Sequence, residues 1–197
     1  MRAMNAASAL ISEAYSKMDG ENFLDIEDPV IEELIDLLED PDPWERILVG
    51  RDLPNLIGRP EAFDHVMTLM YDDDPIVRKE IAFSVGMLGY RPVEMLVLLM
   101  LSDPNNEVRC MAIASLSLVG DHRAIEPLIA MLDFDDPEVI LAAITCLGKI
   151  GDLRAIGPLL SFDRVYDTVV GRMLPTSAEH SAKMIIERLG DEGGYED

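Results

Sequence analysis

Apolar residues along the middle of the chain recur at helical steps. Val77, Ile81, Val85 and Leu88 follow one another at steps of four, four and three. Val108, Ala112, Leu116 and Val119 do the same, as do Val139, Ala143, Leu147 and Ile150. Each run predicts a helix with one buried face. A second apolar run follows, as in Ala124, Ile125, Leu128, Ile129, Met131 and Leu132, and its stripe is wide enough for a helix packed on two sides. Each pair of runs therefore reads as a helical hairpin. Polar punctuation sets its limits. The pairs Asp42-Pro43, Asp74-Pro75, Asp103-Pro104 and Asp136-Pro137 put a capping carboxylate before a proline, which the first helical position tolerates. Gly89, Gly120 and Gly151 fall where a chain leaving a helix favours a left-handed residue, and Asp121 and Asp152 follow as caps of the second helix.

The hairpins repeat. Gly58, Gly89, Gly120 and Gly151 recur at one constant interval, and alignment on them matches Val77 with Val108 and Val139, Ala62 with Val93, Ala124 and Ala155, and Val66 with Val97, Leu128 and Leu159. A fixed period of this size marks a solenoid, in which each unit buries its apolar face only against its neighbours. The expected fold is all-α, an α-solenoid (superhelix) of about five to six stacked two-helix units forming one domain. Its parts are an N-terminal capping repeat over 1–41, with helices within Ala3 to Met18 and Asp28 to Asp40, and core repeats over 42–162. An irregular insertion over 163–176 containing Gly171 and Pro175, a capping helix over 177–190 stopped by Gly190, and an acidic tail over 191–197 complete it. In this alignment Arg46, Gly50 and Pro54 stand where other units are apolar, so the first helix of that unit is expected to be short or kinked at Pro54.

The stretch from Asp136 to Leu160, with Gly151-Asp-Leu-Arg-Ala-Ile-Gly-Pro-Leu-Leu160, resembles the short HEAT-like repeat of the phycobilisome-lyase class. The stretch from Asp103 to Leu132, with Gly120-Asp-His-Arg-Ala-Ile-Glu-Pro-Leu-Ile129, is nearly as similar. The resemblance extends from about Asp28 to Ser161, more loosely at Asp74 to Leu101 and poorly at Asp42 to Met70. It implies that the second helices line a concave, partner-holding surface. The class also includes bilin lyases, which attach or detach tetrapyrroles on light-harvesting proteins and work with a second, similar subunit. No residue pattern specific to a chromophore is present here.

Composition and charge narrow the partners. A chain of 197 residues with 49% hydrophobic content can bury a sizeable core. The first twenty residues carry Glu13 and Asp19 without a continuous apolar stretch, and the longest apolar run, Val93 to Leu101, is interrupted by Glu94. It falls short of the roughly 20 residues of a membrane span, so a cytoplasmic location is expected. The net charge is −22, from 38 acids and 16 bases, and Glu21 to Glu45 holds eleven acids with no Lys or Arg. Nucleic acid and anionic membranes are poor partners for such a surface, because both are bound by cationic groups. The carboxylates then form either a solvated, salt-tolerant surface or a face that steers a basic partner. Cys110 and Cys146 have no partner cysteine at metal-ligand spacing and read as buried free thiols.

Within the second helices, alignment places Met95 with Asp64 and Glu126, Leu99 with Thr68 and Ala130, and Leu96 with His65, Pro127 and Pro158. On the concave surface that the resemblance implies, Met95, Leu96 and Leu99 would form an exposed patch flanked by Asp64, Thr68, Tyr71, Glu126 and Ala130, a groove for a partner helix or loop. The competing reading is that curvature or a homodimer buries this stripe. His65, His122 and His180 each follow an acid, Asp64, Asp121 and Glu179. These pairs are similar, in reversed order, to the His-Glu pairs of the HEAT-like di-iron hydroxylase, but they occupy different phases of the repeat and should not converge on a metal. No nucleophile elbow, phosphate loop or His-Glu-x-x-His motif occurs. No catalytic residue, metal or cofactor is therefore expected. Arg123 and Arg154 are expected to form a ladder with Asp121 and Asp152 between neighbouring repeats. The function expected is a non-enzymatic scaffold or adaptor that holds a basic, partly apolar segment of another protein, the alternative being a subunit of a bilin lyase.

Overall fold

Eleven α-helices and no strand occur among the residues that the computed structural model describes, 5–18, 23–87, 93–164 and 168–192. In chain order they are α1 (Ala6–Lys17), α2 (Pro29–Asp36), α3 (Pro43–Leu56), α4 (Arg59–Thr68), α5 (Pro75–Met87), α6 (Val93–Ser102), α7 (Asn106–Val119), α8 (Ile125–Ala130), α9 (Pro137–Ile150), α10 (Ile156–Leu160) and α11 (Val169–Glu192). The expected turn at Gly89, part of the expected insertion and the end of the acidic tail lie outside the described residues. Contacts divide the chain into two compact units, Met1–Val85 and Gly86–Asp197, where the sequence suggests one domain.

Capping follows the polar punctuation with one displacement. Asp28, Asp42 and Asp136 accept from Val30 N, Trp44 N and Glu138 N at 2.9, 2.9 and 2.8 Å, and Asp74 accepts from Ile76 N at 2.8 Å. The exception is Asp103-Pro104, because α7 is capped by Asn105, which accepts from Glu107 N at 2.8 Å. Asp103 instead accepts from Asn105 N at 2.9 Å, as Asp40 and Asp72 accept from Asp42 N and Asp74 N at 2.8 and 2.9 Å. A two-tier turn thus opens three successive first helices. At the far ends of α7 and α9, Gly120 and Gly151 take positive φ of 66° and 78°, the left-handed stop that glycine supplies at no steric cost.

In the Met1–Val85 unit, α1 packs on α2 and α3, and α3 on α4, around the fully buried Ile31, Leu34, Ile47, Leu53, Leu56, Met70 and Ile81. Helix α3 is not short. It is as long as α7 or α9, with Pro54 inside it. The glycine alignment is out of step here. The stretch from Asp42 to Asp74 is longer than the glycine interval, so Glu45, Val49 and Leu53, all buried, fill the places of Val77, Ile81 and Val85. The buried Glu45 accepts from Ala7 N at 2.6 Å, in the first turn of α1, where helix amides lack partners and favour an anion.

In the Gly86–Asp197 unit, α6 packs on α7, α7 on α9, and α9 on α11. A Cβ on Gly148 of α9 would lie 2.8 Å from Ser181 Oγ and 3.3 Å from its Cα on α11, so these two backbones approach more closely than any larger residue would allow. Helix α11 corrects the expected C-terminal boundaries. It begins at Val169, runs through Pro175 and passes Gly190 to Glu192. Its start is secured by Thr168 Oγ1, which accepts from Gly171 N at 2.9 Å. The fully buried Leu174, Ala178, Ala182 and Ile185 then continue one apolar face across Pro175, and burial of that face outweighs the about 3 kcal/mol that an interior proline costs.

Candidate functional site

The residues expected to form a concave patch fall in both units. Asp64, Thr68 and Tyr71 belong to the Met1–Val85 unit, and Met95, Leu96, Leu99, Glu126 and Ala130 to the other. Leu96 is 0% and Leu99 6% exposed, Met95 is half-buried, and Asp64, Thr68, Glu126 and Ala130 are exposed. The two leucines are core. Their true partners in the repeat are shifted by one place from the glycine alignment, so that Leu96, Leu99 and Met100 stand with Val66, Leu69 and Met70 and with Leu128, Met131 and Leu132, every one buried. The residue in register with Thr68 and Ala130 is Leu98, at 41% exposure. Thr68 Oγ1 donates to His65 O at 2.6 Å.

Arginines at two levels tie repeats together. The expected ladder of Arg123 and Arg154 to aspartates of neighbouring units is rearranged. Arg123 pairs with its own Asp121 at 2.9 Å and reaches back to Glu94, while Arg154 pairs with its own Asp152 at 2.8 Å and reaches back to Glu126 Oε1 at 3.4 Å and to His122 O at 3.2 Å. The glutamates are the inter-repeat partners because a guanidinium so close in sequence to its own cap already satisfies that carboxylate. His122 Nδ1 lies 2.8 Å from Asp152 Oδ2, an acid of the next repeat and not the Asp121 that precedes it. The Arg154 guanidinium, with His122 beside it, holds the Asp152 carboxyl well below the usual carboxylate range.

A second set, Arg46, Arg78 and Arg109, stands at the same place after the caps Asp42, Asp74 and Asn105; the glycine interval aligns Arg78 with Arg109 and leaves Arg46 one place out of step. Arg46 Nη1 donates to Asp40 O and Arg78 Nη1 to Asp72 O, both at 2.5 Å, and Arg109 Nη1 donates to Met100 O and Leu101 O at 2.9 Å. Each guanidinium thus supplies donors to carbonyls at or just past the C-terminal end of the preceding helix, which have no intrahelical partner. Arg46 also forks onto Asp72 at 2.7 and 2.9 Å. Arg109 lies 4.5 Å over the Phe134 ring. The spacing shared by these arginines and the helix caps is the signal that could have found them.

The Gly86–Asp197 unit carries an open groove on its first helices. Cys110, Ala114 and Ser117 of α7 and Leu141, Ala142 and Thr145 of α9 line a cavity of about 450 Å³, with Val170 of α11 at its edge. A neighbouring cavity of about 390 Å³ between α9 and α11 is lined by Gly148, Ser177 and Met184, and Thr145 and Lys149 line both. Small side chains make the trough, since alanine, serine and threonine at helix-facing positions leave space that larger residues would fill. Burial, then the carboxylates of Asp136, Glu138 and Glu107, push the Cys110 thiol up to about 11, and burial pushes Cys146 up to about 12. Such raised values favour the neutral thiol at neutral pH and lower its nucleophilicity. Of the two thiols read as buried, Cys146 is buried and Cys110 half-buried.

Among the described residues no group of three His, Cys, Asp or Glu side chains could hold a metal ion, and no helix is long and apolar enough to cross a membrane. The chain matches no curated protein. It matches HEAT repeats over residues 31–99 and 93–170, more than half its length and the span that the helical hairpins occupy. The chain therefore belongs to the HEAT-repeat family, an all-α solenoid class.

Proposed function

We propose that this chain is a non-enzymatic protein-binding scaffold, and that its Gly86–Asp197 unit holds the partner against the first helices α7 and α9. The observation that carries this reading is the open, mainly apolar groove of about 450 Å³ on a chain of net charge −22. An exposed apolar surface of that kind is retained where a partner covers it. HEAT repeats commonly serve as protein-binding scaffolds, and the two thiols in the groove, pushed up by burial, supply no activated nucleophile. The charge favours a basic, partly apolar segment and disfavours nucleic acid and anionic membranes. Asp64, Thr68, Tyr71, Glu126 and Ala130 remain exposed on the second helices or the turns that follow them, and the first four offer further polar contacts. The test is affinity capture by the tagged chain from its native lysate, followed by gel filtration. A defined protein that co-elutes with the chain at fixed stoichiometry is the expected result. No co-eluting protein, together with an absorbance shift when the chain is mixed with free bilin, would replace the scaffold by the lyase reading.

A further inference from the structure

We propose that the occupant of the α7/α9 groove is an amphipathic α-helix of a partner protein, carrying Lys or Arg at the end that lies over Glu107 and Glu138. The inference rests on the scaffold reading and adds the chemistry of the partner. Three observations support it. The walls are helices, so an extended segment would find no strand edge to pair with, and its own N–H and C=O groups would go unsatisfied against an apolar surface. The wall hydroxyl of Thr145 already donates to Leu141 O at 2.8 Å and is no free donor. A helix satisfies its backbone internally and needs only apolar side chains to fill the trough.

Length agrees with this. Glu138 and Lys149 mark the two ends of the groove on α9, about 16 Å apart at 1.5 Å per residue, which is about three turns of an occupying helix. Charge gives the helix a polarity. The first turns of α7 and α9 place Glu107 and Glu138 at one end, beside the capping Asp136, and Lys149 is the cation lining the other. Acidic groups at one end attract basic side chains there and select against acidic ones.

Fluorescence polarisation of the full chain with two labelled peptides, each about four helical turns long, tests the proposal. Both carry leucines at i, i+4 and i+7. One has three lysines in its first two turns, and the other has glutamates in their place. The lysine peptide should bind about tenfold or more tightly than its twin at low salt. Ala114→Trp and Thr145→Trp, at exposed positions on opposite walls, should each weaken it about tenfold with unchanged circular dichroism. Glu138→Lys should weaken the lysine peptide about two- to fivefold and strengthen the glutamate peptide. Equal binding of both peptides, no binding of either, or tryptophan variants that bind like the wild type would overturn the proposal. So would concentration-dependent dimerisation that Thr145→Trp abolishes, because the occupant would then be a second copy of the chain. Capture of the same lysate protein by wild type and Thr145→Trp would leave the scaffold standing and remove the groove, whereas no capture by either removes the scaffold.

Discussion

Leu98 and Leu99 are adjacent on α6 and face opposite environments, at 41% and 6% exposure. The difference is one of register, because Leu99 shares its place with Leu69 and Met131 in the core and Leu98 shares its place with Thr68 and Ala130 at the surface. Leu99→Asp should therefore bury an unpaired carboxylate and lower stability by about 3 kcal/mol or more, enough to unfold its unit. Leu98→Asp should stay within about 0.5 kcal/mol of the wild type. Urea titrations followed by circular dichroism separate the two outcomes, and matching losses for both would contradict this register. The same slip explains what could be read from the chain alone. The glycines recur at a constant interval, whereas the Asp-Pro pairs are spaced unevenly, closer together from Asp74 to Asp103 and further apart from Asp103 to Asp136. Asp103 breaks the spacing because it is the counterpart of Asp72 and not of a cap, whereas the caps Asp74, Asn105 and Asp136 keep the glycine interval. The slip lies within α6, where Leu96, Leu99 and Met100 stand one place earlier than the glycines predict. Alignment on the glycines alone puts Leu96 and Leu99 on the surface and separates Arg46 from Arg78 and Arg109.

Single elements show why capping and helix type are legible while pairing is not. Asp42, Asp136, Gly120 and Gly151 act through backbone geometry within a few residues, which local spacing encodes. Pro175 in α11 and the reach of Arg154 to Glu126 depend on neighbouring helices, so nothing local announces them. The rung of His122, Asp152 and Arg154 carries a measurable consequence. The Asp152 carboxyl is depressed chiefly by the Arg154 fork, so its contribution is present in full above about pH 4, the ordinary carboxylate value, and is lost as pH falls through the lowered value. Asp152→Asn keeps a capping side chain and removes the charge. The variant should be less stable than the wild type at pH 7, and the gap should narrow steadily below about pH 4. Thermal melts across that range check it, and a gap independent of pH would show that the ion pair adds nothing.

At the scale of the whole molecule, no two-helix hairpin can cover its own apolar side, and stacking on the next hairpin supplies the missing partner. The period and the apolar steps reveal that much without coordinates. The proposed binding surface is harder to read because a groove is made by what is missing. Ala114, Ser117, Ala142 and Thr145 leave volume that a hydrophobic pattern does not report, while the apolar α6, conspicuous in the sequence, turns its Leu96 and Leu99 into the core. In the proposed scaffold, charge selects the partner, through carboxylates that outnumber bases 38 to 16. Methyl chemical-shift mapping of the full chain with the lysine-bearing peptide tests the central claim most directly, because alanine and threonine methyls occur on both candidate surfaces. The account predicts the largest shifts at Ala114, Ala142 and Thr145, with Thr68 and Ala130 unmoved; shifts centred on Thr68 and Ala130 would contradict it.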